Sequence, residues 1–362
     1  MKVDRVEAFP IRIRAGERLQ GGSFSYTHYQ TVLTKVFVDG VEGWGEAMTR
    51  SDPEATASLV RHLGGTLEGR EFDDPTEPWE DVWKGLRVRG HTRGVDVEAL
   101  SGVEIAIFDA YGRIKNQPLN RLFSKNPATQ VTSFAGSLFS SRGPLEGQVE
   151  LAKGKGLLGA KVKIGFGVNE DAQTLKLVRR LWPEGMIVAD ANGAYDARMA
   201  KKACSAFSGL DLAWFEEPVL SDDFDGYSYL KDSGVKIGAG ESWFPGDFER
   251  PILDGLVGVL EPSVSRCGGV HIEVKVAKMA RARGIAFSPM TGMNSTISLA
   301  ASIHAASAVG SIGVEYNPFP NPIQTELATG MEEPREGRVR VPTGPGLGIE
   351  IDHRFVRSNA TR

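Results

Sequence analysis

From about residue 130 onward, short apolar runs recur along the chain, and stretches with helical spacing alternate with them. The runs fall at 131–138, 160–165, 186–192, 212–218, 236–242, 258–265, 284–289 and 313–317. Helical patterns occupy 145–155, 170–181, 197–207, 224–231, 248–253, 270–283 and 295–307. Runs that stay apolar at successive positions suit strands buried on both faces, and a helix between each pair suits parallel crossover connections. Eight such units predict a (β/α)₈-type barrel. The last run leads into Pro318-Phe319-Pro320-Asn321-Pro322, which cannot open a helix directly, so the final unit is predicted to be incomplete.

The first part of the chain has another rhythm. Residues 3–14 alternate as a strand does, and 31–38 are rich in β-branched residues. Asp39-Gly40 is a tight-turn pair, and 41–47 is the returning strand. Helical patterns follow at 55–63, 79–86 and 97–115, the last with Leu100, Val103, Ile107 and Ala110 on one face. The region therefore reads as a three-stranded meander followed by helices, an α+β unit. Gly16 to Tyr29, polar and aromatic, reads as a long loop of the kind that forms a lid or a binding loop, with His28 as a candidate substrate contact. The turn-rich stretch 341–351 is expected to return to this N-terminal unit.

Three of the barrel runs end in carboxylates: Asp190, Glu216 and Glu241, spaced 26 and 25 positions apart. That spacing is one strand, one helix and two loops, which sets successive strand ends side by side. Three acids there repel one another unless a positive species lies between them, and hard oxygen ligands in that number suit Mg²⁺. Lys161 and Lys163 lie two apart on the second barrel strand, hence on one face. If that face is the interior, desolvation, the like charge and a nearby cation are all expected to lower a lysine pKa towards neutrality, making a general base.

Composition narrows the remaining classes. With 41% hydrophobic and 24% charged residues and a net charge of −4, the chain is an ordinary globular protein without a nucleic-acid surface. No apolar stretch is long enough for a membrane span, and the start carries no apolar signal region. Two cysteines make no disulfide framework, so a reducing cytoplasm is expected.

Taken together, Lys161-Val162-Lys163, Asp190-Ala191-Asn192, Trp214-Phe215-Glu216-Glu217-Pro218, Gly240-Glu241-Ser242 and Arg266-Cys267-Gly268-Gly269-Val270 resemble the enolase superfamily, in its mandelate racemase/muconate lactonizing enzyme branch. Gly43-Trp44-Gly45-Glu46, Glu315-Tyr316, Asn321-Pro322 and Gly344-Pro345-Gly346-Leu347-Gly348 extend the resemblance over essentially the whole chain. It implies an N-terminal α+β capping domain over 1–125, a (β/α)₇β TIM-like barrel over 126–335 and a tail over 336–362 that returns to the capping domain. It implies Mg²⁺ held by Asp190, Glu216 and Glu241, with a base that removes the proton α to a substrate carboxylate to give an enediolate. By position Lys163 resembles the base, Lys161 the residue that contacts the carboxylate, and Glu315 the acid that hydrogen-bonds the enediolate. Asn192 stands where a residue supporting the metal ligands is often found. A homo-oligomer is expected by the same analogy.

The sequence departs from the racemase pattern at two linked positions. Ser263 stands where that pattern has Asp on the sixth strand, and Met290 where it has His on the seventh. His271 and His304 fall at a helix start and inside a helix, and are read as structural. A racemase needs a base on each face of the substrate, whereas a syn elimination or a cycloisomerisation needs only one. The sequence therefore predicts a Mg²⁺-dependent lyase, an acid-sugar dehydratase or lactone cycloisomerase, acting on a small carboxylate. An epimerase with an unrecognised second base and a non-catalytic metal-binding regulator are the alternatives. Arg266, Thr291 and Asn294 are further candidate substrate contacts, and Glu261 is the next candidate acid.

Overall fold

Three antiparallel strands open the chain: β1 (Val3–Gln20), β2 (Ser25–Val38) and β3 (Val41–Met48), in the order β1-β2-β3. In this computed structural model, residues 1–50 and 52–361 are described. Asp39 and Gly40 both take positive φ, 47° and 77°, the conformation a two-residue hairpin turn demands. Four helices follow: α1 (Pro53–Leu67), α2 (Glu77–Val88), α3 (Val95–Ile114) and α4 (Leu119–Phe123). Strand β3 lies against α3 at a distance only small residues allow. A Cβ at Gly45 would sit 1.9 Å from the Gly102 carbonyl oxygen, and one at Gly43 would sit 2.1 Å from that of Ala106. Gly102, Ala106 and Ala110 recur every fourth residue, so one flat face of α3 receives the strand.

The expected loop over Gly16–Tyr29 is instead mostly strand. β1 and β2 continue as a two-stranded ribbon to a short turn at Gly21–Phe24, closed by Gly21 N donating to Phe24 O at 3.0 Å. Tyr26, Thr27 and Tyr29 are strong strand formers, and Ala15, Leu19 and Tyr29 are buried. The alternation is interrupted by an irregularity in the pairing between Arg14 and Leu19, where β1 carries extra residues. That bulge, together with the glycines, disguises the strands.

Eight parallel strands form the second unit: β4 (Gln130–Leu138), β5 (Gly159–Lys163), β6 (Met186–Asp190), β7 (Trp214–Glu216), β8 (Ile237–Ala239), β9 (Val259–Leu260), β10 (Ala286–Phe287) and β11 (Val314–Tyr316). Each neighbours the next in sequence, and β11 pairs with β4. The ring is completed between β10 and β11 by isolated bonds in place of a ladder. Ile312 N donates to Phe287 O at 2.9 Å, and Ser288 Oγ donates to Gly313 O at 3.0 Å. Seven helices, α5 (Leu145–Gly154), α6 (Val168–Leu181), α7 (Ala197–Phe207), α8 (Phe224–Leu230), α9 (Glu249–Asp254), α10 (Val270–Ala282) and α11 (Thr296–Val309), connect the strands. After β11 comes only the four-residue α12 (Pro322–Thr325). The fold is thus a (β/α)₇β barrel with an N-terminal α+β domain, as the sequence predicts.

Helix α11 is apolar on all its faces because all its faces are buried, among them those turned to α10, α4 and β3 of the first unit. The chain ends with β12 (Ala328–Thr329), β13 (Arg338–Arg340), β14 (Glu350–Ile351) and α13 (His353–Asn359). β13 pairs with β4, while α13 packs on β1 and Thr361 N donates to Pro10 O at 2.8 Å. Among the described residues, no helix is long and apolar enough to cross a membrane.

Because β3 and α3 touch backbone to backbone, Gly45→Ala is expected to cost about 1–3 kcal/mol of stability through overpacking. A urea midpoint equal to that of the unaltered protein would contradict this packing.

Candidate active site

Strand register assembles the central row of charges. Lys163 is the Cα partner of Asp190, and Asp190 is the partner of Glu216, so the C-terminal ends of β5, β6 and β7 present lysine, aspartate and glutamate side by side. Glu241 stands two residues beyond the end of β8, and Glu315 is the middle residue of β11. Below the row, Phe134, Val188, Trp214 and Val259 form an apolar plug inside the barrel, with Phe134 and Trp214 meeting edge to face at 5.7 Å. All these charged groups are buried, and buried charge survives only when paired.

The pairing is dense. Lys161 Nζ donates to Glu216 Oε1 at 3.0 Å, lies 3.4 Å from Asp190 Oδ2 and forms a close ion pair with Glu315. Lys163 Nζ pairs with Asp190 Oδ2 and donates to Asn192 Oδ1 at 2.7 Å. Asn192 Nδ2 donates to Glu241 Oε1 at 2.9 Å, so this one amide joins Lys163 to the third carboxylate. Asn192 holds a left-handed φ of 45° to do so, and Glu217 likewise has φ 38°. Such strain in non-glycine residues is commonly stored at functional sites.

Burial and neighbours pull the acids apart. Glu216 is raised well above the usual carboxylate range by burial and then by Asp190, with Lys161 opposing. Burial works to raise Glu241 too, but Arg50 and the two lysines outweigh it and hold that group well below the usual range. The expected fall in the lysine pKa is not found at Lys161. Burial does act to lower it, but Glu216, Glu315, Asp190 and Glu241 together raise it well above the ordinary lysine value. The reason is the number of acids: the summed charge of four carboxylates outweighs burial and the like charge of Lys163.

Above the row opens a cavity of roughly 560 Å³, bounded on one side by the barrel and on the other by the ribbon of β1 and β2. The ribbon tip sits on the barrel through Gly22 N donating to Ile164 O at 3.3 Å and Ser23 Oγ donating to Asn192 O at 2.8 Å. Its Phe24 ring lies 5.4 Å from Lys163 Nζ and stacks on Tyr26. Lys161, Lys163, Asn192, Glu241, Asn294 and Glu315 line this cavity, and so does His28, from β2. Asp190 and Glu216 lie among them through the contacts above.

Two candidate contacts are not brought there. Arg266 is not among the lining residues; its Nε lies 3.1 Å from Glu98 on α3, and its guanidinium packs over Phe244. Thr291 turns its hydroxyl to the Glu315 carbonyl oxygen and helps tie β10 to β11. Polarity near a strand end marks both as candidates, and that signal carries no direction. Glu261 accepts from Trp214 Nε1 at 2.9 Å beneath the row and is also not among the lining residues. Met290 lines the cavity and Ser263 does not. His271 pairs with Glu104, and His304 bonds the Asn120 amide and the Leu347 carbonyl, its pKa pushed down to about 4 by burial.

The cavity also contains residues that sequence reading passed over. Arg50, beyond the end of β3, donates from Nη2 to Glu241 Oε1 at 3.0 Å. Glu46 accepts from Ser295 N and Oγ and from Ser298 N, closing the start of α11 from the other domain. Glu217 is raised to about 8 by burial and by Glu241 and Asp190. Glu46 belongs to the Gly43-Trp44-Gly45-Glu46 motif; Arg50 has no local signal, because its partner is 191 positions away.

Among the described residues, no three His, Cys, Asp or Glu side chains are already gathered as a ligating cluster, since lysines and Arg50 occupy the acids. The donor set nevertheless suits a hard divalent cation. Asp190, Glu216 and Glu241 offer only oxygen, all three are buried, and Glu216 Oε2 has no hydrogen-bond partner.

Comparison with known proteins places this geometry. Residues 146–355 match the family described as enolase C-terminal domain-like, and residues 19–124 match the mandelate racemase/muconate lactonizing enzyme N-terminal domain. A D-galactarolactone cycloisomerase of Agrobacterium fabrum is 28% identical over 97% of both chains. An arabinonate dehydratase of Saccharolobus solfataricus is 26% identical over 86% of both. A solved racemase of Streptomyces coelicolor A3(2) with bound magnesium is 26% identical, covers 99% of this chain and all of its own, and superposes with a TM-score of 0.90.

The charge row makes a stability prediction. Removing Lys161 leaves Glu216 and Glu315 buried without their shared cation, so Lys161→Ala is expected to destabilise the fold by about 3–5 kcal/mol. Thermal unfolding checks this; an unchanged midpoint would mean the acids are not held by that lysine.

Proposed function

The chain belongs to the mandelate racemase/muconate lactonizing branch of the enolase superfamily and is an enzyme, and from that premise we propose that it is a Mg²⁺-dependent lyase of sugar acids or their lactones. Asp190, Glu216 and Glu241 would hold the cation. When bound, it would polarise the substrate carboxylate and stabilise the charge that develops on it as the α-proton leaves. The names of the cycloisomerase and dehydratase relatives support a carboxylate substrate with an oxygen leaving group at the β-carbon.

The two lysines divide the work by their surroundings. Lys161 is ringed by three carboxylates and serves as a fixed positive charge beside the substrate carboxylate. Lys163 has one carboxylate and one neutral amide as partners and faces the cavity beneath Phe24, which suits it to take the α-proton. Glu315, from β11, pairs with Lys161, lines the cavity and is assigned to share a proton with the developing charge. Asn192 fixes Lys163 relative to Glu241. The unpartnered Asn294 Nδ2 and the His28 ring line the cavity and are assigned to the sugar hydroxyls.

The observation that carries the choice of reaction is Met290, a thioether lining the cavity at the position where the racemase pattern has a base. With lysine chemistry alone, one face of the substrate is served. Proton removal and departure of the β-oxygen from that face give elimination or ring-oxygen loss without racemisation.

The test is a set of sugar acids and lactones incubated with the enzyme and Mg²⁺ in D₂O and followed by proton NMR. Loss of the α-proton signal with a 2-keto or cyclised product is expected, and Lys163→Ala should lower the rate by at least about 100-fold while Mg²⁺ binding is kept. Solvent deuterium in a product of inverted configuration would replace the lyase reading with epimerisation.

A further inference from the structure

Three cations serve the three strand-end carboxylates, and they differ in origin and in freedom. Lys161 and Lys163 come from β5 inside the barrel, with side chains 2% and 7% exposed. Arg50 comes from the other domain, beyond the end of β3, and its side chain is 49% exposed. It donates to Glu241 Oε1, the same atom that accepts from Asn192.

In formal charges, Asp190, Glu216, Glu241 and Glu315 stand against Lys161, Lys163 and Arg50, four negative against three positive, so a divalent cation entering the row turns one net negative charge into one net positive charge. Some positive charge must then withdraw, and a withdrawing side chain needs somewhere to go. The lysines border the cavity, but each is held on the barrel by more than one partner. Arg50 can turn into the cavity and solvent while keeping its charge hydrated.

We infer that Arg50 is a positioning residue that competes with the metal for Glu241, so that the capping domain sets the affinity of the barrel's metal site. The inference rests on the metal reading proposed above. Its reciprocal follows from linkage: any factor by which Arg50 weakens metal binding is the factor by which metal weakens the hold of Arg50 on Glu241. Metal uptake therefore loosens one tie between the two domains, and metal loss restores it. The substrate cavity lies between those domains, so the tie is released in the state in which the enzyme works.

The test measures Mg²⁺ binding by calorimetry, and Tb³⁺ binding by luminescence sensitised through Trp243, buried two residues after Glu241, for the unaltered protein, Arg50→Ala and Arg50→Lys. Arg50→Ala is expected to bind on the order of ten-fold more tightly. Arg50→Lys, which keeps the charge but not the fork, is expected to fall between the two. In a Glu241→Gln background the effect of Arg50→Ala should vanish. Hydrogen exchange of residues 46–50 should rise on adding Mg²⁺ to the unaltered protein and not to Arg50→Ala. Equal or weaker binding by Arg50→Ala overturns the inference and leaves the metal reading standing, as does a gain that persists with Glu241→Gln. Absence of Mg²⁺ binding in every variant overturns both.

Discussion

The physical constraint on this molecule is the cost of burying carboxylates. The barrel brings Asp190, Glu216, Glu241 and Glu315 to one end, almost entirely out of water, where an unpaired charge costs several kcal/mol. Lys161, Lys163 and Arg50 make that arrangement tolerable. Their presence fixes much else: the lysines must sit two apart on β5, Asn192 must adopt a strained backbone to reach both Lys163 and Glu241, and the floor beneath must be apolar enough to keep water from screening the row.

A second constraint is that the site is divided between two domains. Gly45 allows β3 to lie directly on α3, and Glu46, the next residue, reaches across to the first turn of α11. The segment just before that turn contains Met290 and Asn294. The capping domain therefore anchors the wall of the cavity as well as covering it, and Ser23 and Arg50 add contacts at the opposite edge. Packing and chemistry meet within the four residues Gly43-Trp44-Gly45-Glu46.

The barrel was legible because its signal is periodic: doubly buried strands, helices between them, and acids at strand ends spaced by one unit. Lys161 and Lys163 were legible because alternation along a strand fixes which residues share a face. The ribbon of β1 and β2 was not, since a bulge near Arg14–Leu19 breaks the alternation that identifies a strand. Arg50 and the true orientation of Arg266 were not, since each depends on a partner far away in sequence, Glu241 and Glu98. The Lys161 shift is likewise a sum over neighbours from four strands and loops: Asp190, Glu216 and Glu241 were legible near the lysines, and their combined weight against burial was not.

The junction between β10 and β11 has a consequence for how such an enzyme can change over generations. These two strands are joined by scattered bonds from Ile312, Ser288 and Thr291 instead of a continuous ladder, and β10 itself is two residues long. The wall that holds position 290 is thus laddered on one side only: Met290 N donates to Pro262 O at 3.0 Å towards β9, and among the described residues no ladder continues towards β11. A side chain there can be exchanged, and with it the presence or absence of a second proton carrier, without unpicking a sheet. New reactions can be tried at that seam while the charged row opposite, bound into the ladder of β5, β6 and β7, is inherited intact.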